Sequence, residues 1–260
     1  MQVAHLLEHG ELEILGRLAG SSNATLLCTV SDSSGSTLRC VYKPVRGERP
    51  LWDFPEGTLA SREVAAYELS EQLQWGLIPV TVWREFGPHG PGSCQLWIDE
   101  GEFDALVDVV LPSQKPDGWR LVMTGESEYG AQVCLVHADR AELQQMSVLD
   151  ALLNNADRKA GHLLQDSAGR LWGIDHGLTF NEEPKLRTVL WGWAGEPVPE
   201  PLLHDLRTLN DRWDEVEAML DRHLYSFELE ALAERLRELL LSQVFPHPRS
   251  QWPSIPWPLY

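Results

Sequence analysis

Residues 151–180 read ALLNNADRKAGHLLQDSAGRLWGIDHGLTF, and this stretch decides the fold. Its apolar start continues a helical pattern, and a polar loop that carries Asp157 follows. Two short apolar runs then flank a Gly-containing turn at 166–169, and the second run ends at Asp175. This pattern predicts an antiparallel hairpin, which brings Asp157 and Asp175 to the same end.

Two carboxylates at one end of a hairpin can divide the work of phosphoryl transfer. One of them orients or deprotonates the acceptor hydroxyl, while the other binds Mg²⁺ on the phosphates of a nucleotide. The two aspartates are therefore the first candidates for a reaction centre.

The first third of the chain is predicted to be a small antiparallel sheet with one helix. Apolar alternation between turn signals indicates strands at 11–18, 25–30, 37–42, 78–86 and 93–98. A 3.6-residue period predicts the helix over 58–74.

The remainder of the chain is predicted to be mostly helical. A strong apolar face indicates a helix at 140–155, and a helical block follows at 202–244. Residues 99–130 include Pro112, Pro116, Gly118 and Gly125, so we expect a linker with some helix there.

The loop and hairpin resemble the catalytic and metal-binding loops of the phosphatidylinositol 3-/4-kinase-like branch of the protein-kinase fold, which includes the HipA-type kinases. That branch has Asp-Arg-His-x-x-Asn and then an Ile-Asp-Phe-Gly-like strand end. This chain reads DRKAGH from Asp157 and IDHG from Ile174. Its NNADRK signature is similar to that of an actinobacterial group of such proteins. The resemblance implies an α+β, two-lobed fold with a sheet-containing N-lobe at 1–98 and a mostly helical C-lobe at 99–260.

The resemblance also implies roles for the loop residues. Asp157 would be the catalytic aspartate, and Arg158 or Lys159 would offset charge that develops on the transferred group. Asp175 would bind the metal, together with His162 or with Asn154 and Asn155. His162 stands where the family normally has a metal-binding Asn. Because a neutral imidazole is a poorer ligand for Mg²⁺ than an amide oxygen, it would suit Mn²⁺ better.

The N-terminal part supplies the remaining kinase-like features in the expected order. The loop at 16–24 resembles a phosphate-covering loop, and Lys43 resembles the lysine that pairs with the α- and β-phosphates of ATP. Glu63 resembles the ion-pair partner of that lysine. The implied cofactors are ATP and Mg²⁺ or Mn²⁺. The residues expected to bind the nucleotide are Ser21, Ser22, Asn23, Lys43, Glu63, Leu96, Trp97 and Ile98.

The charge balance limits the partners. The 260 residues include 39 acidic and 21 basic side chains, for a formal net charge of −18, which disfavours nucleic acids and anionic membranes. No run of 18 apolar residues and no signal peptide are evident, so we expect a cytoplasmic protein. We therefore expect a kinase whose acceptor is a protein hydroxyl or a soluble small molecule. The alternatives are a nucleotide-binding pseudokinase with a regulatory role, a phosphoinositide-type lipid kinase, and transfer of AMP instead of phosphate.

Overall fold

The computed structural model describes residues 3–18, 23–49, 51, 54, 58–249 and 253–260. Among the described residues, the N-terminal third contains two α-helices and five strands. In chain order they are α1 (Val3–His9), β1 (Glu11–Arg17), β2 (Leu26–Ser31), β3 (Thr37–Pro44), α2 (Leu59–Gln72), β4 (Thr81–Arg84) and β5 (Gly92–Leu96). The predicted strands and helix lie where the sequence indicates them, whereas α1 was not predicted.

The five strands form one antiparallel sheet in the order β1-β2-β3-β5-β4. Its buried face carries Cys28, Cys40 and Cys94, and Leu6 and Leu7 of α1 pack against them. All three cysteines are free thiols. This small core is separate from the larger core of the molecule.

A second sheet occupies most of the region predicted to be a linker with some helix. It consists of β6 (Val107–Val110), β7 (Arg120–Glu126) and β8 (Gln132–His137), in the order β6-β8-β7. The expectation of a linker with some helix was wrong. Strands form here, and Pro112 begins only a short 3₁₀ turn between β6 and β7. Val107 and Val136 of this sheet are buried. The C-terminal half therefore combines helices with a sheet.

The rest of the chain follows the predicted pattern closely. A long helix, α3 (Ala141–Leu153), leads into the hairpin of β9 (Leu163–Gln165) and β10 (Leu171–Gly173). The final helices are α4 (Glu200–Asp211), α5 (Trp213–Leu220) and α6 (Ser226–Ser242). The hairpin ends next to the loop that connects α3 to β9.

The larger core joins α3, α4, α5 and α6 with the apolar face of α2. From α2 it includes Ala65, Ala66 and Leu69, which are completely buried. Helix α2 thus contacts β4 and β5 of the N-terminal sheet and also packs its apolar side into the core of the C-terminal half. Within the described residues, none of the helices is both long enough and apolar enough to cross a membrane.

Candidate active site

Lys43 lies on β3 and points away from the buried face of the sheet. Its neighbours Cys40 and Tyr42 are buried in the sheet core, and the alternation of a strand turns the Lys43 side chain toward α2. The Lys43 ammonium forms an ion pair with Glu63 and lies 2.9 Å from Oδ1 of Asp175. The Lys43 ammonium on β3 therefore contacts one carboxylate on α2 and another at the end of the β9–β10 hairpin.

Charge and burial act against each other around this ammonium. Burial alone would lower the pKa of Lys43, but the carboxylates of Asp175 and Glu63 outweigh burial and raise the pKa above its ordinary value. Glu63 is buried, and burial raises its pKa although Lys43 opposes the shift. Lys43 therefore stays protonated at neutral pH.

Asp175 follows β10 in a left-handed backbone conformation with φ 58°. Aspartate tolerates this conformation better than most residues, and such outliers concentrate at functional sites. The side chain is half exposed, and Lys43 holds the pKa of this carboxyl well below its usual range. Asp175 is thus an accessible, ionised carboxylate beside a fixed cation.

His162 ends a 3₁₀ turn that directly precedes β9. Its Nε2 lies 3.5 Å from Oδ2 of Asp175. Burial lowers the pKa of His162 to about 4, although the Asp175 carboxylate opposes the shift. The ring is therefore neutral at pH 7. Its Nδ1 is buried and, among the described residues, has no hydrogen-bond partner.

Asp157 lies in the polar loop between α3 and β9. Its backbone N–H donates to Oδ1 of Asn155 at 3.0 Å, and its Oδ2 lies 3.3 Å from Nζ of Lys159. Burial raises the pKa of Asp157 above its ordinary value, while Lys159 opposes the shift. A carboxylate with a raised pKa is a better proton acceptor than an ordinary exposed aspartate.

Arg158 does not face the site, which corrects the expectation that it offsets charge on the transferred group. Its side chain is fully buried, with Nε 2.9 Å from Oδ2 of Asp150. The guanidinium also donates to the carbonyl oxygens of His162 and Ile174 at 3.1 and 3.0 Å. Its Nη2 lies 2.7 Å from Nε2 of His176. Arg158 therefore holds the loop and the hairpin together, and Lys159 is the loop cation that lies beside Asp157.

Asn154 and Asn155 are also structural, so the alternative in which they hold the metal is wrong. The Asn154 amide donates to the carbonyl oxygens of Asn181 and Glu183 and accepts from the N–H of Lys185. Asn155 donates to Asp150 at 2.9 Å. Both side chains are buried and are occupied by these bonds.

The other predicted nucleotide contacts are more dispersed. Ser21 and Ser22 lie outside the described residues. Asn23 accepts the N–H of Arg49 at 3.0 Å, so its side-chain oxygen supports the chain near the loop. Leu96, Trp97 and Ile98, which were expected to bind the nucleotide, lie where β5 leaves the sheet. The Trp97 ring lies under the guanidinium of Arg39 at 5.8 Å.

The sequence analysis does not identify the buried ion pairs that support the loop and α2. Asp150 is a completely buried acid within the apolar face of α3. A carboxylate at such a position is rare unless it is paired, so its place between Leu149 and Ala151 was a usable signal. Arg62, which precedes Glu63, was also missed, and its partner on α6 lies too far along the chain for any local pattern to indicate.

The residues fit a metal–nucleotide complex better than a free metal ion. Among the described residues, no group of three or more His, Cys, Asp or Glu side chains is placed to hold a metal ion. Asp175 and His162 supply two donors side by side. A divalent cation there would therefore complete its coordination with phosphate oxygens and water, as Mg²⁺ does in phosphoryl-transfer sites.

Comparisons with known proteins agree with this geometry. The family model for phosphatidylinositol 3- and 4-kinase matches residues 140–240, which include the polar loop and the hairpin. The protein Rv2133c of Mycobacterium tuberculosis is 45% identical over 98% of this chain and 94% of its own length.

Two solved structures share the fold at low sequence identity. A structure of hydra Fam20 with sugar is 14% identical, with a TM-score of 0.54, over 92% of this chain and 86% of that chain. The Helicobacter pylori proinflammatory kinase CtkA is 12% identical, with a TM-score of 0.50, over 92% and 94%. These similarities establish a kinase-like fold.

Proposed function

Because the chain belongs to the family of the Mycobacterium tuberculosis protein Rv2133c and is a kinase-like phosphotransferase of the phosphatidylinositol 3-/4-kinase type, we propose that it transfers phosphate from ATP in a reaction that requires a divalent metal. The observation that carries this proposal is the contact of one ammonium, on Lys43, with Glu63 and Asp175. Three separate chain segments converge there in the arrangement that kinases use for the nucleotide phosphates.

Lys43 is the group that would meet the α- and β-phosphates. Glu63 is buried and ion-paired, so it fixes the Lys43 ammonium in place. When the nucleotide is bound, the phosphates would compete for this ammonium with Asp175, which is the more exposed of its two carboxylate partners.

Asp175 and His162 would hold the divalent cation. The bound metal would neutralise charge on the β- and γ-phosphates. Because His162 is neutral and its Nε2 is 3.5 Å from a carboxylate oxygen, the donor set is one oxygen and one imidazole nitrogen. Such a set favours Mn²⁺ over Mg²⁺.

Asp157 would orient and deprotonate the acceptor hydroxyl. Its raised pKa and its place on a loop fixed by Arg158 and Asn155 support this role. Lys159, at 3.3 Å from Asp157, would offset negative charge on the transferred group. Arg158 has no such role.

The acceptor would be a protein hydroxyl or a soluble small molecule. A net charge of −18 opposes approach to an anionic membrane, and Lys159 is the basic residue that contacts Asp157 directly. Sedimentation with vesicles of neutral and anionic lipid tests this point. Strong, salt-sensitive binding to the anionic vesicles alone would favour a phosphoinositide acceptor instead.

A pseudokinase is the second candidate, and His162 is the observation that favours it. An imidazole in place of the usual amide weakens the site for Mg²⁺. Incubation with γ-labelled ATP, Mg²⁺ or Mn²⁺ and a cell lysate separates the two functions. Label in a lysate component supports the kinase, whereas tight ATP binding without transfer supports the pseudokinase. A parallel incubation with α-labelled ATP detects AMP transfer, because the γ-phosphate leaves as pyrophosphate when AMP is transferred, and mass spectrometry of the target then identifies the added group.

A further inference from the structure

Helix α2 carries Glu63, which pairs with Lys43. The residue before it, Arg62, forms a second ion pair with a different part of the molecule. Arg62 is 3% exposed, and its guanidinium forms an ion pair with Glu228 on α6, which is 1% exposed. Successive residues on a helix point in directions about 100° apart. Arg62 and Glu63 therefore connect α2 to two different parts of the molecule, the C-terminal helices and the candidate site.

The Arg62 guanidinium has further partners beside the site. It donates to the carbonyl oxygen of Thr179, and the Thr179 hydroxyl in turn donates to the carbonyl oxygen of His176 at 2.7 Å. His176 directly follows Asp175. Arg62 thus contacts the segment that carries Asp175, while its neighbour Glu63 holds the lysine that contacts Asp175.

The acid partner is itself fixed. One oxygen of Glu228 receives Arg62, and the other accepts the backbone N–H of Tyr225 at 2.9 Å, which caps the start of α6. A carboxylate in the first turn of a helix is also stabilised by the helix dipole. Arg62 is therefore paired with a carboxylate that a backbone hydrogen bond holds at the start of α6.

Other contacts tie the same helix to the C-terminal half. Its apolar face belongs to the large core with α3 to α6. Glu68 pairs with Arg222, and the Gln72 amide lies 3.5 Å from the sulfur of Met219. The exposed Arg222 contributes little to stability, as surface pairs do, whereas the buried pair is costly to break from one side.

From these contacts we infer that the buried Arg62–Glu228 pair positions the candidate site. The pair fixes α2 to the C-terminal helices, so that Glu63 holds Lys43 toward Asp175. Arg62 and Glu228 are positioning residues and touch neither nucleotide nor acceptor. The inference rests on the proposed function only for its effect on nucleotide binding, because the effect on α2 itself does not require a ligand.

The experiment compares Arg62→Met and Glu228→Gln with Arg207→Met, which removes an exposed ion pair with Glu200 on α4. Hydrogen exchange of the ligand-free proteins reports the opening of α2, and calorimetry with ATP and Mn²⁺ at a temperature where each variant is folded reports nucleotide affinity. We expect faster exchange in 59–72, unchanged exchange in α4, and affinity about tenfold weaker in both variants, within the range of ordinary coupling between sites. Arg207→Met should match wild type in both measurements.

A double variant tests whether the two residues act as one unit. Arg62→Met combined with Glu228→Gln should weaken ATP binding no more than either change alone, because each single change already removes the pair. Wild-type exchange in 59–72, or wild-type ATP affinity in variants that have only lost thermal stability, would overturn the inference. If the wild-type protein binds no ATP, the proposed function fails, and the exchange data alone decide the positioning role. Glu228→Gln is isosteric and keeps an oxygen for the α6 cap, so it remains informative if Arg62→Met does not fold.

Discussion

Arg158 and Asp150 form a fully buried ion pair, with Nε of the guanidinium 2.9 Å from Oδ2 of the carboxylate. Arg158 also donates to carbonyl oxygens on both sides of the hairpin, those of His162 and Ile174. One side chain thereby joins α3, the polar loop and the segment after β10 that carries Asp175. The pair therefore ties together the segments that carry the two candidate aspartates, Asp157 and Asp175.

This arrangement predicts that substitutions of two adjacent basic residues lower the stability of the fold by very different amounts. Arg158→Gln should lower the free energy of unfolding by about 3–5 kcal/mol, because it leaves the Asp150 carboxylate buried without its partner. Lys159→Gln should cost less than about 1 kcal/mol, because its pair with Asp157 is partly exposed. Urea unfolding of the two variants measures both values. Equal stability of Arg158→Gln and wild type would contradict the structural role of Arg158.

Substitutions at Lys43 and Glu63 should affect the stability of the fold and the affinity for ATP differently. Lys43→Met should lower the thermal midpoint, because it leaves the buried Glu63 carboxylate without a cation. Adding Glu63→Gln should restore most of the midpoint without restoring ATP affinity. Differential scanning fluorimetry with and without ATP gives both results. Recovery of ATP binding in the double variant would rule out Lys43 as the phosphate-binding group.

Asp157 should affect transfer and leave binding intact. Asp157→Asn removes the proton acceptor, so phosphate transfer into lysate components should fall by about 10²- to 10⁴-fold, the usual contribution of a general base. ATP affinity should stay close to wild type, because Asp157 is assigned to the acceptor. Transfer assays with γ-labelled ATP and calorimetry are the measurements. A variant that transfers phosphate at the wild-type rate would assign the acceptor step to another residue.

His162 should set the preference between metals. His162→Asn replaces an imidazole nitrogen with an amide oxygen, which is the donor that Mg²⁺ prefers. The ratio of ATP affinity in Mg²⁺ to that in Mn²⁺ should rise in the variant. His204→Asn, on the exposed side of α4, is the matched control and should leave the ratio unchanged. An unchanged ratio in His162→Asn would remove His162 from the metal site.

His137 should make the fold sensitive to acid. It is fully buried, and burial lowers its pKa to about 4. Nδ1 lies 2.9 Å from the carbonyl oxygen of Ala138, and Nε2 accepts the N–H of Gly192 at 3.1 Å, so the neutral ring satisfies both contacts. Since the unfolded chain binds a proton near pH 6.5 and the folded chain only near pH 4, stability is lost as the pH falls between those values.

The matching measurement is the free energy of unfolding between pH 4.5 and 7. The His137 contribution has a slope of up to about 1.4 kcal/mol per pH unit in wild type. The slope should be shallower by that contribution in His137→Asn, which keeps a donor and an acceptor but does not titrate. Parallel slopes would show that His137 titrates normally in the folded protein.

The hairpin and its two aspartates could be predicted because the determining signals are local. A Gly-containing turn flanked by apolar runs specifies β9 and β10, and the helical period of α3 specifies what precedes them. Lys43 and Glu63 were predicted from a family resemblance, not from any spacing rule. Their contact depends on tertiary packing between β3 and α2, which no local pattern contains.

The remaining features depend on contacts between distant residues. The strands β6 and β7 were not predicted because Pro112 and Gly118 indicate a linker, and because β7 is largely exposed and lacks a clear apolar alternation. Arg158 was misassigned because an arginine beside a catalytic aspartate suits either role in sequence. Only the burial of Asp150, eight positions earlier, decides between them.

The most direct test of the central claim is calorimetry of ATP binding to wild type, Asp175→Asn and Arg207→Met, each with Mn²⁺, with Mg²⁺ and with a chelator. The account predicts metal-dependent binding by wild type and by Arg207→Met, and an affinity for Asp175→Asn that is weak and the same with or without metal. Metal-independent binding by wild type, or metal-dependent binding that survives in Asp175→Asn, would contradict the assignment of Lys43, Asp175 and His162 to a metal–nucleotide site.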